Sequence, residues 1–286
     1  MKPRIVITGA GGQVGSYLSG YAGQLGHPVA AYTSAQWDIT DPAAAEHHID
    51  AGDVVVNCAA FTSVDAAENH PDRAYAVNVA GPENIARACA RVGARLIHIS
   101  TDYVFSGVFD GPARPYEPVD ATGPLSVYGR TKLAGELAVL GALPDATVAR
   151  TAWVYTGAHG SDFAAVMRAK AATDDVVDVV ADQVGSPTYV GDLCAALVEI
   201  AEVGPEPSVL HVANSGPTSR FDQARAVFAL VGADPERVRP VGTDAHPRPA
   251  PRPPFSALGG EMYARAGLTP LRPWQEALAE ALSTAR

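Results

Sequence analysis

The run over residues 4–18 constrains this chain most. A short β-branched stretch, Arg4-Ile5-Val6-Ile7-Thr8, reads as a buried first strand. It enters Gly9-Ala10-Gly11-Gly12-Gln13-Val14-Gly15, and Ser16-Tyr17-Leu18 onward reads as helix. Strand, glycine turn and helix form the context in which a glycine pattern predicts a dinucleotide site. Gly9 permits the tight turn, Gly12 lets backbone approach a pyrophosphate, and Gly15 lets helix and strand pack closely. The helix N-terminus then offers unpaired N–H groups to the phosphates.

Further strands are predicted over 28–32, 53–57, 95–100 and 146–150, with helices over 43–49 and over 71–92, the latter interrupted near Gly81-Pro82. Residues 33–36 hold neither the acid that binds a ribose nor an arginine for a 2′-phosphate, so NADH and NADPH both stay open. Asp38, before Ile39, caps the following helix or forms a turn. The third strand ends in Cys58-Ala59-Ala60-Phe61-Thr62, where small residues let a flat ligand lie close. Asn78 is either a satisfied helix polar residue or a site positioner. His98 alternates with apolar residues and reads as structural. The fourth strand ends in Ser100-Thr101-Asp102-Tyr103, which puts the Thr101 hydroxyl at the ligand edge of a parallel sheet.

Val127-Tyr128-Gly129-Arg130-Thr131-Lys132 adds the chemistry. Tyr128 and Lys132, four apart on a predicted helix, leave the same face. A free phenol ionises near pH ~10. An adjacent ammonium lowers that value, so the pair is expected to exchange a proton near neutrality. Trp153, after the fifth strand, is a stacking platform or packing. Beyond residue 155 the alternation loosens. Helices are expected over 161–172, 192–203, 220–231 and 274–285, and strands over 176–181 and 209–212, with a loop over 182–188. The proline-rich 246–254 segment carries Arg248 and Arg252. It is either a linker or a stiff loop offering arginines to a phosphate.

With 286 residues, 47 % apolar and 18 % charged, the chain can bury a large core. A net charge of -10 argues against nucleic acid or an anionic membrane as the main partner. Cys58, Cys89 and Cys194 lack disulfide or zinc spacing and read as buried thiols in a reducing cytoplasm. No apolar run approaches the ~18 residues of a membrane span, and the N-terminus reads as a strand rather than a signal peptide.

Gly9-x-x-Gly12-x-x-Gly15, Thr101 and Tyr128-x-x-x-Lys132 together resemble the extended short-chain dehydrogenase/reductase superfamily. Longer motifs narrow this to the dTDP-4-dehydrorhamnose reductase family. They are residues 100–105, residues 124–136 around Tyr128, Arg150-Thr151-Ala152-Trp153-Val154-Tyr155, Asp182-Gln183-x-Gly185-x-Pro187-Thr188 and Arg252-Pro253-x-x-Ser256-x-Leu258.

The resemblance implies an α/β fold: a Rossmann-type doubly wound parallel sheet over 1–155, and a smaller C-terminal α/β substrate domain over 156–286 with some segments returning to the core. It implies NADPH or NADH as reductant, with NADPH favoured by the family although Ser34 stands where many relatives carry a basic residue. It implies a dTDP-4-keto-6-deoxy-L-sugar as substrate. Cofactor contacts carry over onto Gly9, Gly12, Gln13, Val14, Gly15, Asp38, Ile39, Ala60, Phe61, Thr62, Ile99, Tyr128 and Lys132. Substrate contacts carry over onto Thr101, Asp102, Tyr103 and Trp153. Thr101, Tyr128 and Lys132 are the implied catalytic set. Some members bind Mg²⁺ at a dimer interface; a monomer and a homodimer both fit, as does a cytoplasmic location. Two rivals share the scaffold: a different nucleotide-sugar reductase or epimerase, and a regulatory subunit that binds a dinucleotide without turnover.

Overall fold

Five short apolar runs build the centre of the molecule: β1 (Ile5–Thr8), β2 (Val29–Tyr32), β3 (Val54–Asn57), β4 (Arg95–Thr101) and β5 (Thr147–Thr151). The computed structural model describes residues 2–157, 160–206 and 208–284. The strands lie in one six-stranded sheet whose sixth member, Val209–His211, returns from the C-terminal half. The order is Val209–His211, β5, β4, β3, β1, β2, and every pairing is parallel.

Both faces of this sheet are covered, as an all-parallel sheet requires. Alternate residues of one strand therefore feed two cores. Ile5, Ile7, Val54 and Val56 pack with Leu18, Leu193, Leu197 and Ile200 on one side. Val6, Val55 and Leu96 pack with Trp37, Ile85, Cys89 and Val139 on the other. The chain's crossing between β1 and β3 leaves a crevice at their C-terminal ends, where ligands bind in doubly wound sheets.

Some predicted elements change character. The helix expected over 43–49 is a single 3-10 turn, Ala44–His47. The helix over 71–92 does not break at Gly81-Pro82. It runs as Pro71–Tyr75, a π turn at Ala76–Ala80, and Gly81–Val92. Pro82 lies where the π turn hands over to Gly81–Val92. Two short helices, Val64–Asn69 and Glu261–Arg265, carry no strong pattern in the sequence. The closing helix is Trp274–Thr284; residue 285 lies outside the described residues.

The C-terminal half contributes helices Phe163–Ala171 and Arg220–Leu230 and a parallel pair, Val177–Val180 with Val238–Val241. The 246–254 segment is no free linker. Val184 N–H donates to Pro254 O, Ser256 N–H to Val184 O, and Tyr116 N–H to Ala257 O, so the strap is stitched across both halves.

Candidate active site

The strand ends open into a cavity of about 760 Å³. It is lined by the glycine turn, by Cys58, Ala59, Ala60 and Thr62, by residues 99–103 and 151–154, and by Tyr128 and Lys132. At the turn, Gly9 has φ +65, and a Cβ there would meet Ala59 N at 2.7 Å. A Cβ on Gly15 would lie 2.4 Å from Gly9 O. The turn therefore closes only with glycine at both places. Gly12 caps the Gln13–Gln24 helix (α1) with no side-chain acceptor, which leaves the first N–H groups free for an anion. These observations fit a dinucleotide pyrophosphate.

Gln13, Val14, Asp38 and Ile39 line the same cavity, next to Thr33, Ser34 and Trp37. The Asp38 carboxylate accepts from Thr40 Oγ1 at 2.7 Å and Thr40 N–H at 2.9 Å, which holds it below the usual carboxylate range. Phe61 is the one predicted cofactor residue that does not line the cavity. Its N–H donates instead to Asn78 Oδ1 at 2.8 Å, and Asn78 Nδ2 donates to Phe61 O and to Thr131 Oγ1. Asn78, on the π turn, thus ties the strand-end loop to the helix that carries Tyr128. It is a site positioner as well as a satisfied polar residue.

That helix, Val127–Ala142, begins where Ser126 Oγ accepts from Gly129 N–H at 3.1 Å, a cap worth about 1 kcal/mol. Glycine inside it is a matter of space. A Cβ on Gly129 would lie 2.3 Å from Tyr103 O, and one on Gly135 would lie 2.0 Å from Asn78 O. The helix is pulled against the strand ends, and this brings Tyr128 and Lys132 to them. Four residues on, Glu136 accepts from Arg150 Nη2 at 2.7 Å and from Ser100 Oγ at 2.5 Å. This buried group fixes the helix to β4 and β5. Removing one partner of such a pair typically costs ~3–5 kcal/mol.

Lys132 Nζ donates to Ile99 O at 2.7 Å and faces His98 Nε2 at 3.5 Å. Behind it runs a polar row across three strands. Thr8 Oγ1 and Ala59 N–H both donate to Asn57 Oδ1, so Asn57 Nδ2 is the donor to His98 Nδ1 at 3.0 Å. This places the His98 proton on Nε2, toward Lys132. Burial keeps the His98 ring far below its ordinary pKa, and the Lys132 charge adds to that. Burial also draws Lys132 down from 10.5 to about 8, against Glu136 and Cys58. His98 is therefore structural, and what it supports is the site.

The acid itself departs from expectation. Burial pushes the Tyr128 phenol up, Asp102 and Tyr103 add to this, and only a hydrogen bond with Thr101 opposes it. Tyr128 therefore keeps its proton at neutral pH, and Lys132 is the group whose charge changes, near pH 8. The two side chains share a helix face, but the shared dry surroundings shift both pKa values against the charged forms.

Thr101 Oγ1 donates to Asp102 Oδ1 at 3.1 Å, and Ser256 Oγ donates to Asp102 Oδ2 at 2.5 Å. Burial raises Asp102 to about 6 despite these bonds. Tyr103 packs edge-on to Tyr128, with ring centroids 5.7 Å apart. Trp153 is the one non-glycine residue with positive φ among those described, at φ 48. Such backbone costs roughly 1–2 kcal/mol and persists only when surroundings enforce it. Here Gly185 lies against the indole: a Cβ on it would meet Trp153 Cε2 at 2.5 Å. The stretch expected as a loop over 182–188 holds the short strand Val184–Gly185 and the start of another, Thr188–Tyr189, and the first of them is the support of Trp153.

Neither Arg248 nor Arg252 is offered to a phosphate. Arg252 closes on Asp65 at 2.5 Å and 2.9 Å, and Arg248 lies 3.9 Å from the same carboxylate. The arginine that does line the cavity is Arg220, at the start of the Arg220–Leu230 helix. Its position depends on how the C-terminal half folds back, which no local pattern encodes. Among the described residues no group of three or more His, Cys, Asp or Glu side chains is placed to hold a metal ion.

A glycine turn over a free helix N-terminus, with a strand-end threonine and a tyrosine–lysine pair in one cavity, defines a Rossmann-fold NAD(P)H-dependent oxidoreductase of the extended short-chain type. The family described as RmlD substrate binding domain matches residues 1–286. The dTDP-4-dehydrorhamnose reductase of Mycobacterium tuberculosis is 63 % identical over 281 residues, covering 98 % of this chain and 92 % of that protein. That of Mycolicibacterium smegmatis is 62 % identical over 283 residues, covering 99 % and 86 %. The crystal structure of the Bacillus anthracis dTDP-4-dehydrorhamnose reductase in complex with NADP superposes with a TM-score of 0.91 at 33 % identity, covering 99 % of this chain and 100 % of that one. The chain belongs to the dTDP-4-dehydrorhamnose reductase family.

Proposed function

We propose that Thr101, Tyr128 and Lys132 carry the reaction of this family in this chain: the NAD(P)H-dependent reduction of the C4 keto group of dTDP-4-dehydro-β-L-rhamnose to dTDP-L-rhamnose. When bound, the reduced nicotinamide supplies the hydride that C4 accepts. Gly9, Gly12 and Gly15 hold the pyrophosphate, and Lys132, fixed by Ile99 O, holds the adjoining ribose. When the sugar is bound, the Thr101 hydroxyl turns its one proton from Asp102 Oδ1 to the C4 oxygen. Tyr128 delivers its proton to the same oxygen as charge builds there. Asp102, Tyr103 and Trp153 hold the sugar, with Trp153 locked by the Val184–Gly185 strand.

One observation carries this reading. The donor phenol, the strand-end hydroxyl and a lysine bonded to the strand-end carbonyl line one cavity with a glycine turn suited to a pyrophosphate. The division into a nucleotide unit over 1–155 and a mainly substrate-binding unit over 156–286, with segments such as Val209–His211 returning to the sheet, belongs to the same proposal. Among the described residues no helix is long and apolar enough to cross a membrane. The free thiols Cys58, Cys89 and Cys194 support a cytoplasmic location. The cavity is lined within one chain, which suits a monomer or a homodimer.

The test supplies purified protein with the dTDP-4-keto-6-deoxy-L-sugar made in situ, and NADPH or NADH in turn. Loss of reduced-nicotinamide absorbance only with the complete sugar, with dTDP-L-rhamnose as product, supports the assignment. Sugar conversion without net cofactor consumption points to an epimerase. Cofactor binding without any conversion points to a regulatory subunit.

A further inference from the structure

Arg220 is the cation in the cavity that the reaction leaves unused. Its Cζ lies 3.6 Å from the centroid of the Trp153 ring and 4.7 Å from that of Phe163. Its side-chain hydrogen bond goes to the neutral Gln223 Oε1 at 3.3 Å. Arg150 and Arg252 each close on a carboxylate. Arg220 forms no ion pair among the described residues. Burial lowers its pKa to about 10, opposed by the charges of Tyr103 and Asp102, so it stays cationic at neutral pH.

Arg220 is half-buried with no carboxylate within ion-pair distance among the described residues, so its charge is left for a ligand to neutralise. A planar guanidinium held flat on an indole keeps its N–H groups at the edge; with Nη1 on Gln223, the Nε–Nη2 side remains to take two oxygens of a phosphate. The cofactor's pyrophosphate already has its own partners at the glycine turn. Arg220 belongs to the other end of the cavity, with Trp153 against it and Asp102 and Tyr103 acting on its charge. A second anion is therefore expected beside the sugar.

We infer that Arg220 binds the diphosphate that links nucleoside and sugar in the substrate, with Trp153 as the plate that holds its guanidinium in plane. This deepens the proposed function and rests on it. The strained backbone of Trp153 and the absence of a side chain on Gly185 then act on substrate binding through Arg220. The arrangement also separates two anionic demands: one phosphate pair on the N-terminal turn, the other on the first residue of a C-terminal helix.

The test is calorimetric titration of wild type, Arg220→Met and Arg220→Lys with dTDP, thymidine, UDP and NADPH. Wild type is expected to bind dTDP more tightly than thymidine. Arg220→Met is expected to lose about 10- to 100-fold in dTDP affinity, the size of one charge-assisted contact. Its thymidine and NADPH affinities stay at the wild-type values, and Arg220→Lys falls between. Unchanged thymidine and NADPH binding shows that the variant is folded. Equal dTDP affinity in wild type and Arg220→Met overturns the role of Arg220 and leaves the reductase reading intact. A wild type that prefers UDP, with UDP affinity falling by about the same 10- to 100-fold in Arg220→Met, supports the role of Arg220 while moving the substrate to another nucleotide. A wild type that binds no nucleoside diphosphate overturns both.

Discussion

Lys132 Nζ donates a 2.7 Å hydrogen bond to the carbonyl of Ile99, one residue past the buried His98 whose Nε2 it also faces. The lysine is thereby held at the strand end by β4 itself, where it lines the cavity. Burial has brought its pKa down from 10.5 to about 8. The ammonium is complete below that value and is lost as pH rises through it. An anionic dinucleotide is therefore expected to bind less tightly above pH 8 than at pH 7. Lys132→Met should abolish that pH dependence, weaken NADPH binding by about tenfold and reduce turnover by about 10²-fold or more. Fluorescence titration of NADPH at several pH values checks this. The same pH slope in wild type and variant would remove the role of Lys132.

Asp102 makes the opposite kind of prediction, on stability. Its folded-state pKa is about 6 against 3.8 for an ordinary aspartate, mainly through burial. The folded protein thus holds this proton more tightly than the unfolded chain between those two values. Linkage then makes the wild type lose stability as pH rises across that window, with the loss complete above pH 6. Asp102→Asn has no such proton. Its Tm relative to wild type should climb between pH 4 and pH 7 and then level off. A difference in Tm that stays constant with pH contradicts this account, whatever its size.

Two glycines in one helix separate space from propensity. A Cβ on Gly135 would lie 2.0 Å from Asn78 O, whereas one on Gly141 meets nothing within 4 Å. Gly135→Ala should cost about 1–3 kcal/mol or more as helix and π turn are pushed apart. For a chain of this size that is a fall in Tm of several degrees. Gly141→Ala, with better helix propensity and open surroundings, should hold or raise the Tm. Differential scanning calorimetry of the two variants decides it. Equal effects would mean that the helix does not pack on Asn78 as described.

The N-terminal half was legible because its signals are local. Apolar runs ending at a glycine turn or small residues gave β1, β3, β4 and β5 within a residue or two, and with them the strand-end position of Thr101. The Tyr128–Lys132 spacing gave the shared face. What it did not give was the electrostatics. The lysine's charge was expected to bring the phenol toward neutrality, but the same burial that joins the pair opposes ionisation of both. The C-terminal half was harder for a physical reason. Arg220 and Arg252 look alike in sequence. Only the fold decides that Arg252 meets Asp65 while Arg220 stacks on Trp153. The π turn at Ala76–Ala80 has no local signature, and the partners of Asn78 on it, Phe61 and Thr131, lie on a loop and a helix remote in sequence.

The most direct test of the account is Tyr128→Phe. In the proposed reaction the phenol gives the transferred proton, and burial keeps it protonated at neutral pH. The variant loses one hydroxyl and keeps the ring that packs edge-on to Tyr103. It should bind NADPH about as tightly as wild type and turn over the dTDP-4-keto sugar ~10²–10⁴-fold more slowly. Turnover close to wild type, with cofactor binding intact, would mean that the proton comes from elsewhere and that Tyr128 is not the acid.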